Sequence, residues 1–536
     1  MKRWCLLLAC LAVSAAGVVG DEHHGQYDPN AKLGTVFFPV PSCSANVQKP
    51  FERGVALLHF FWYEEADKQF KEVSQLDPHC AMAYWGQAMS LYHELWSLPS
   101  AEDMKQGAGL IAKAQTIGVH TGRESGFVAA LATYYRNPGA SGFEQRAAAY
   151  SAGMGKVYQQ NPKDTEAATF YSLSLLASEP DKDTTFANRK QDISILSVVF
   201  EQQPDHPGAA HYLIHACDNP QFARQGLAAA RKYAAIAPAS PHALHMPSHI
   251  FARLGLWQED IQSNLASIAA TQHNDTGMHM GAEHQVHAMD FLLYAYLQVG
   301  EDDKADALLQ RLNGVRAEDM DAGLADYLEE RQVEMPALYY LELRQWKKAL
   351  TVQPVGPRPY VQSTAYWAHA VAAGHLHDAA AARQALDQYA AAVEATLKSD
   401  KPHRAKYLER NQNEARAWLA FAEGKSEEAV TLMRSVAEEQ DAKGQGEVEL
   451  PAREMLADML LETNHPQQAL AEYERAMKTD PGRFNGLAGA ARAAELASQP
   501  QKASEYSSQL LKNCSGSNSN RPELADAKKL MAMNRK

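Results

Sequence analysis

The sequence predicts an all-α solenoid, a stack of helix hairpins in which each pair covers the apolar face of its neighbour. Two observations lead there. The chain has 536 residues, too many for one compact core, so several domains or an elongated repeat array are required. The sequence also matches itself at a fixed offset of 34 residues, and a period of that size belongs to stacked hairpins.

The clearest repeat is "LPAREMLADMLLETNHPQQALAEYERAMKTDP", residues 450–481. With Leu450 as position 1, Ala457 falls at 8, Leu460 at 11, Ala469 at 20, Tyr473 at 24, Ala476 at 27 and Pro481 at 32. Advancing by 34 to Phe484 places Ala491, Ala494, Ala503 and Leu510 at positions 8, 11, 20 and 27. The same ruler started at Val47 places Gly54 at 8, Ala66 at 20, Phe70 at 24 and Pro78 at 32, and its successor begins at Ala81. Looser matches between these ends include "AMDFLLYAYLQVGEDDKADALLQRL" and "AWLAFAEGKSEEAVTLM". This spacing resembles the tetratricopeptide (TPR) repeat, a 34-residue helix–turn–helix with small residues where two helices touch.

The chain divides accordingly. Residues 1–20 read as a signal peptide: Lys2 and Arg3 precede the apolar "WCLLLACLAVSAAGVV", with cleavage after Gly20 or Ala16. "LLAC" ending at Cys10 suits a lipoprotein less well, because the apolar stretch continues past it. Residues 21–46 lack helical periodicity and form an extended lead-in, residues 47–510 the array, and residues 511–536 a polar tail with a short helix. No later run of 18 apolar residues exists to span a membrane. An exported protein, periplasmic or secreted, is expected. The net charge of −13 and the lack of a dense Lys/Arg cluster argue against a nucleic-acid partner.

Export leaves Cys43, Cys80, Cys217 and Cys514, which allow three disulfide connectivities. Cys43 precedes the first hairpin and Cys80 ends it. Antiparallel helices bring those ends together, so Cys43–Cys80 is the expected pair.

The middle of the chain departs from the rest in one respect. Ten of the 21 histidines fall between 206 and 287, within a His-rich part at 205–295, where an even spread would give about three. In the TPR family, positions 2, 5, 9 and 12 of the first helix face a concave groove. Counting from Pro207 puts His211 at 5, His215 at 9 and Asp218 at 12; counting from Pro241 puts His242, His245 and His249 at 2, 5 and 9. Counting from Val286, after an insertion, puts His287, Asp290 and Tyr294 at 2, 5 and 9. Three successive repeats thus aim imidazole, carboxylate and phenol at one groove. Histidines four apart share a helix face, the geometry helical zinc sites use.

Two readings follow. The groove binds a protein or peptide, with hydrogen-bonding histidines as its specific part; or His211, His215, His242, His245 and His249 hold a metal, with Asp218 or Asp290 as ligand or general base of a hydrolase. Imidazole with carboxylate suits zinc, and thioethers from Met278 and Met280 would suit copper. Pro247 lies inside a predicted helix, where it breaks a backbone bond and rotates His249 relative to His242. The insertion "ATQHNDTGMHMGAEHQVH" reads as a lid, a ligand loop or a plain linker. His59 and His93, at position 13 of their repeats, are weaker groove candidates. Cys217, at position 11, points into the helix pair. No nucleophile elbow, phosphate-binding Gly loop, H-E-x-x-H helix or Cys-x-x-Cys pair occurs.

The segments "FERGVALLHFFWYEEADKQF", "DPHCAMAYWGQAMS", "HMPSHIFARLGLW" and "AMDFLLYAYLQVG" together resemble a group of exported bacterial TPR proteins. That resemblance implies an architecture and a compartment rather than a particular chemistry.

Overall fold

The computed structural model describes residues 31–533, apart from 96–98, 137–141, 181–182, 273–281, 321–323, 445 and 447. Among these residues the secondary structure is helical throughout, with no strand. The expected signal peptide lies outside the described residues.

Consecutive helices pair antiparallel along the chain, each packed on the one before and the one after. Helix starts follow local chemistry. Pro207, Pro241, Pro466, Pro500 and Pro522 open their helices, where a missing N–H costs nothing. Ser240 caps the second of these by accepting from the Ala243 N–H. The repeat ruler is also explained by packing. Phe70, from Tyr63–Leu76, lies between Gly54 of Gln48–His59 and Gly86 of Ala81–Ser90. A Cβ on Gly54 would lie 2.7 Å from that ring, and one on Gly86 2.4 Å. Position 8 is small because position 24 is an aromatic ring from the partner helix.

The lead-in runs through the hollow of the first four hairpins. The Phe38 ring is fully buried, with centroids 5.2 Å from Phe51, 5.5 Å from Trp85, 4.9 Å from Phe127 and 6.4 Å from Phe170. Those rings belong to the first helix of four successive hairpins. Lys32 Nζ donates to the Ala235 carbonyl and the Thr35 N–H to that of Asp205. Cys43 and Cys80 are disulfide-bonded, with Cα atoms 4.6 Å apart. Farther along, one turn meets another: Trp257 Nε1 donates to the Gly482 carbonyl, and Arg483 binds Glu342 at 2.7 Å and Glu454 at 3.0 Å. The lead-in thus lies against the first helices of the early hairpins, and the C-terminal repeats contact the middle ones.

The C-terminal segment is more ordered than a polar tail. Helix Pro522–Met533 packs on the preceding pair through buried Leu524 and Ala527, and Arg521 binds Asp302 at 2.5 Å.

Candidate metal centres in the central repeats

Helix Pro207–Cys217 approaches the first hairpin closely because Gly208 has no side chain: a Cβ there would lie 2.6 Å from His59 Nδ1. That approach brings His211 Nδ1 to 2.7 Å from the His59 carbonyl. A carbonyl only accepts, so His211 Nδ1 carries the proton and its Nε2 presents a lone pair. His215 Nε2 lies 3.1 Å from that atom and His242 Nε2 2.9 Å. His211, His215 and His242 form a first triad, each offering a ligand atom within 4.8 Å of the others.

The second triad is His245, His249 and His287, gathered within the same limit. His245 Nδ1 is 2.7 Å from Asn264 Oδ1, while Asn264 Nδ2 donates to Asp260 Oδ1 at 2.7 Å. The Asn264 oxygen is thereby fixed as acceptor and His245 Nδ1 as donor. His249 Nδ1 donates to Asp218 Oδ2 at 3.0 Å, and Arg253 Nε holds the other carboxylate oxygen at 2.9 Å. Both Nε2 atoms consequently present lone pairs, and they face each other at 3.1 Å. A metal bound to imidazole at about 2.0 Å sets tetrahedral N···N edges of about 3.3 Å. The observed spacings fall a few tenths short of that, within reach of small ring rotations. Fixing one ring nitrogen as donor so that the other can bind is how metal-ligating histidines are usually oriented.

Proline sets how the ligands are shared. The helix breaks at Met246, giving Pro241–His245 and Pro247–Arg253. His242 serves the first triad, while His245 and His249 serve the second. The kink expected at Pro247 thus separates the ligands into two sets rather than spoiling one.

Electrostatics keep these rings in the ligand form. Burial pushes His211 down to about 3, and pushes His215, His242, His245 and His287 well below the ordinary histidine range, with neighbouring histidines adding to the shift. All five are neutral at pH 7.

A third group behaves differently. His59 Nε2 and His206 Nε2 each lie 2.9 Å from a different oxygen of buried Glu166. His206 Nδ1 accepts from the Ala209 N–H, so its Nε2 carries the proton. His59 Nδ1 meets the Tyr212 hydroxyl at 2.9 Å. Burial alone would raise the Glu166 carboxyl, but His206 and His59 outweigh it and hold it below the usual range. These partners satisfy one another, and His59 in turn supplies the carbonyl that orients His211. Sequence reading missed Glu166 and His206 because the contact joins repeats 40 residues apart. A histidine opening a helix just before Pro207 was the one local sign.

Three expected groove residues have other partners. Asp218 lies behind His249 rather than among the ligand atoms. Asp290 is 2% exposed and binds Arg331 at 2.5 Å. The Tyr294 hydroxyl donates to the Glu449 carbonyl and accepts from Arg483. Past His287, the helix Ala282–Gln298 turns its polar groups toward later repeats, so counting forward from His287 does not keep them at one hollow. Cys217 is buried against Gly226. Residues His273, Met278, His279 and Met280 lie outside the described residues, as does the side chain of Glu283. The His284 ring is 5.9 Å from that of His242.

No protein-family model matches the sequence, and no curated protein matches it. Solved structures do. The human IFIT1 dimer with m7Gppp-AAAA is 12% identical over 81% of this chain and 90% of that chain, with a TM-score of 0.36. A monomeric IFIT1 mutant with Gppp-AAAA is 13% identical over 88% and 96%, at 0.35. The P58(IPK) TPR domain is 13% identical over 92% and 100%, at 0.21. Likeness at this level says nothing about ligands. The helix hairpins themselves define a tetratricopeptide-type solenoid. Among the described residues, no helix is long and apolar enough to cross a membrane.

Proposed function

We propose that this repeat protein binds transition-metal ions, one at His211, His215 and His242 and one at His245, His249 and His287. The observation that carries the reading is the pinning of Nδ1 on both His245 and His249, which turns two Nε2 lone pairs toward each other at 3.1 Å; Nδ1 of His211 is pinned likewise, with Nε2 of His215 and His242 at 3.1 and 2.9 Å from its lone pair. The two acceptors on His245 and His249 repel at 3.1 Å unless a cation lies between them. Imidazole-only sets suit zinc and copper, and an ion held by three protein ligands keeps a position for water or substrate. His59, Glu166 and His206 support the first site, and Asp218 with Arg253 supports the second. An exported location accords with the Cys43–Cys80 bond, since disulfides persist in oxidising compartments.

A peptide partner in the concave groove has less support, because Phe38 and its neighbours occupy the hollow of the first hairpins. The test is metal content. Protein purified metal-free, equilibrated with zinc or copper and desalted should retain two equivalents by elemental analysis. The double variant His245→Ala/His249→Ala should retain one, with its helical circular dichroism intact. Retention of no metal by the wild-type chain would refute the proposal and leave the peptide reading.

A further inference from the structure

We infer that the two triads act as one dinuclear centre that takes a small anion of two or three atoms as a bridge between its ions. The inference rests on the metal-binding reading above. Its first support is geometric. His242 and His245 lie three residues apart on one short helix, which sets their Cβ atoms about 5–6 Å apart. The triads also meet on their other side, where the His215 and His249 rings are 6.5 Å apart. Ions held by rings in this arrangement would be neighbours.

The second support is charge. All six imidazole ligands are neutral when they bind. The carboxylate that contacts a ligand ring is Asp218, already held by His249 and Arg253. Asp290, on the same helix as His287, is taken by Arg331. With Arg253 paired to Asp218 and Arg331 to Asp290 and Glu334, the charge of two divalent ions on six neutral imidazoles has no carboxylate of its own, and in a buried region it calls for a compensating anion.

The third support limits size. Aromatic rings wall the centre on two sides. Phe291 stands 4.9 Å from His245, 4.7 Å from His249 and 5.3 Å from His287. Phe61 stands 4.5 Å from His211, 5.7 Å from His215 and 6.2 Å from His242. Rings packed this closely on the ligands favour a small bridging anion such as azide.

The test uses the full chain loaded with two equivalents of copper(II), with azide as the probe. A bridged pair couples its spins, so most of the two-spin electron paramagnetic resonance intensity should be lost on adding azide. Calorimetry should give one azide per two coppers. His245→Ala/His249→Ala, with one copper, should show a full one-spin signal that azide does not quench. Two retained coppers with full intensity and two independent azides would overturn the inference while leaving the metal reading intact. No retained copper would overturn both.

Discussion

Lowering the pH of the metal-free protein should open its central repeats before the rest of the array. Burial lowers the pKa of His211, His215, His242, His245 and His287 in the folded chain. The unfolded chain titrates near 6.5 and binds more protons below that pH, so stability falls as pH drops through 6.5 and continues to fall toward the depressed folded values. For one histidine that stays neutral when folded, moving from pH 7 to 5.5 costs about 1.3 kcal/mol; five give up to about 6 kcal/mol. That is comparable to the whole stability of a typical domain. Repeat arrays open locally, so the measurement should be local as well. Hydrogen exchange in peptides covering 207–217 and 241–253, corrected for intrinsic rate, should lose about four orders of magnitude of protection between these pH values. Adding zinc at pH 5.5 should restore part of it, because the ion competes with protons for the same lone pairs. Unchanged protection in the metal-free chain would show that these rings do not stay neutral, and the reasoning would fail.

Other perturbations test separate parts of the description. Asp218→Asn should weaken metal at the second triad by about 10- to 100-fold while sparing the first, read by chelator competition. Gly86→Ala would press a methyl against the Phe70 ring and should cost about 1–3 kcal/mol, read as an earlier denaturant transition with one of the first hairpins' tryptophans as reporter. Reducing Cys43–Cys80, which spans 37 residues, should remove about 4 kcal/mol of stabilisation, and an unshifted denaturant midpoint under reductant would contradict that.

The repeat was legible because it is local: Gly54, Phe70 and Pro78 record contacts within one hairpin and its neighbour. The histidines were legible for the same reason. His211, His215, His242, His245 and His249 lie on adjacent hairpins whose register the ruler fixes, and the structure gathers them with His287. What failed to show was contact across a superhelical turn. Nothing near Asp290 marks Arg331 as its partner, and nothing near Tyr294 marks Arg483. A groove rule taken from open arrays also leaves out the lead-in, whose Phe38 packs on the first helices of the early hairpins. The lead-in looked unstructured because its order comes from four later helices rather than from its own periodicity.

That threading has a consequence for how the molecule is made. Phe38 cannot seat until the helix carrying Phe170 exists, and Lys32 meets Ala235 across 203 residues. A nascent chain emerging from its N-terminus must keep this apolar stretch waiting while well over a hundred residues are added, so the early hairpins cannot finish one after another as in simple arrays. High sequence separation of this kind slows folding. Maturation of the first turn should therefore be a late, all-together event, and truncations ending before residue 165 should leave Phe38 without the Phe170 ring and the early hairpins prone to aggregate.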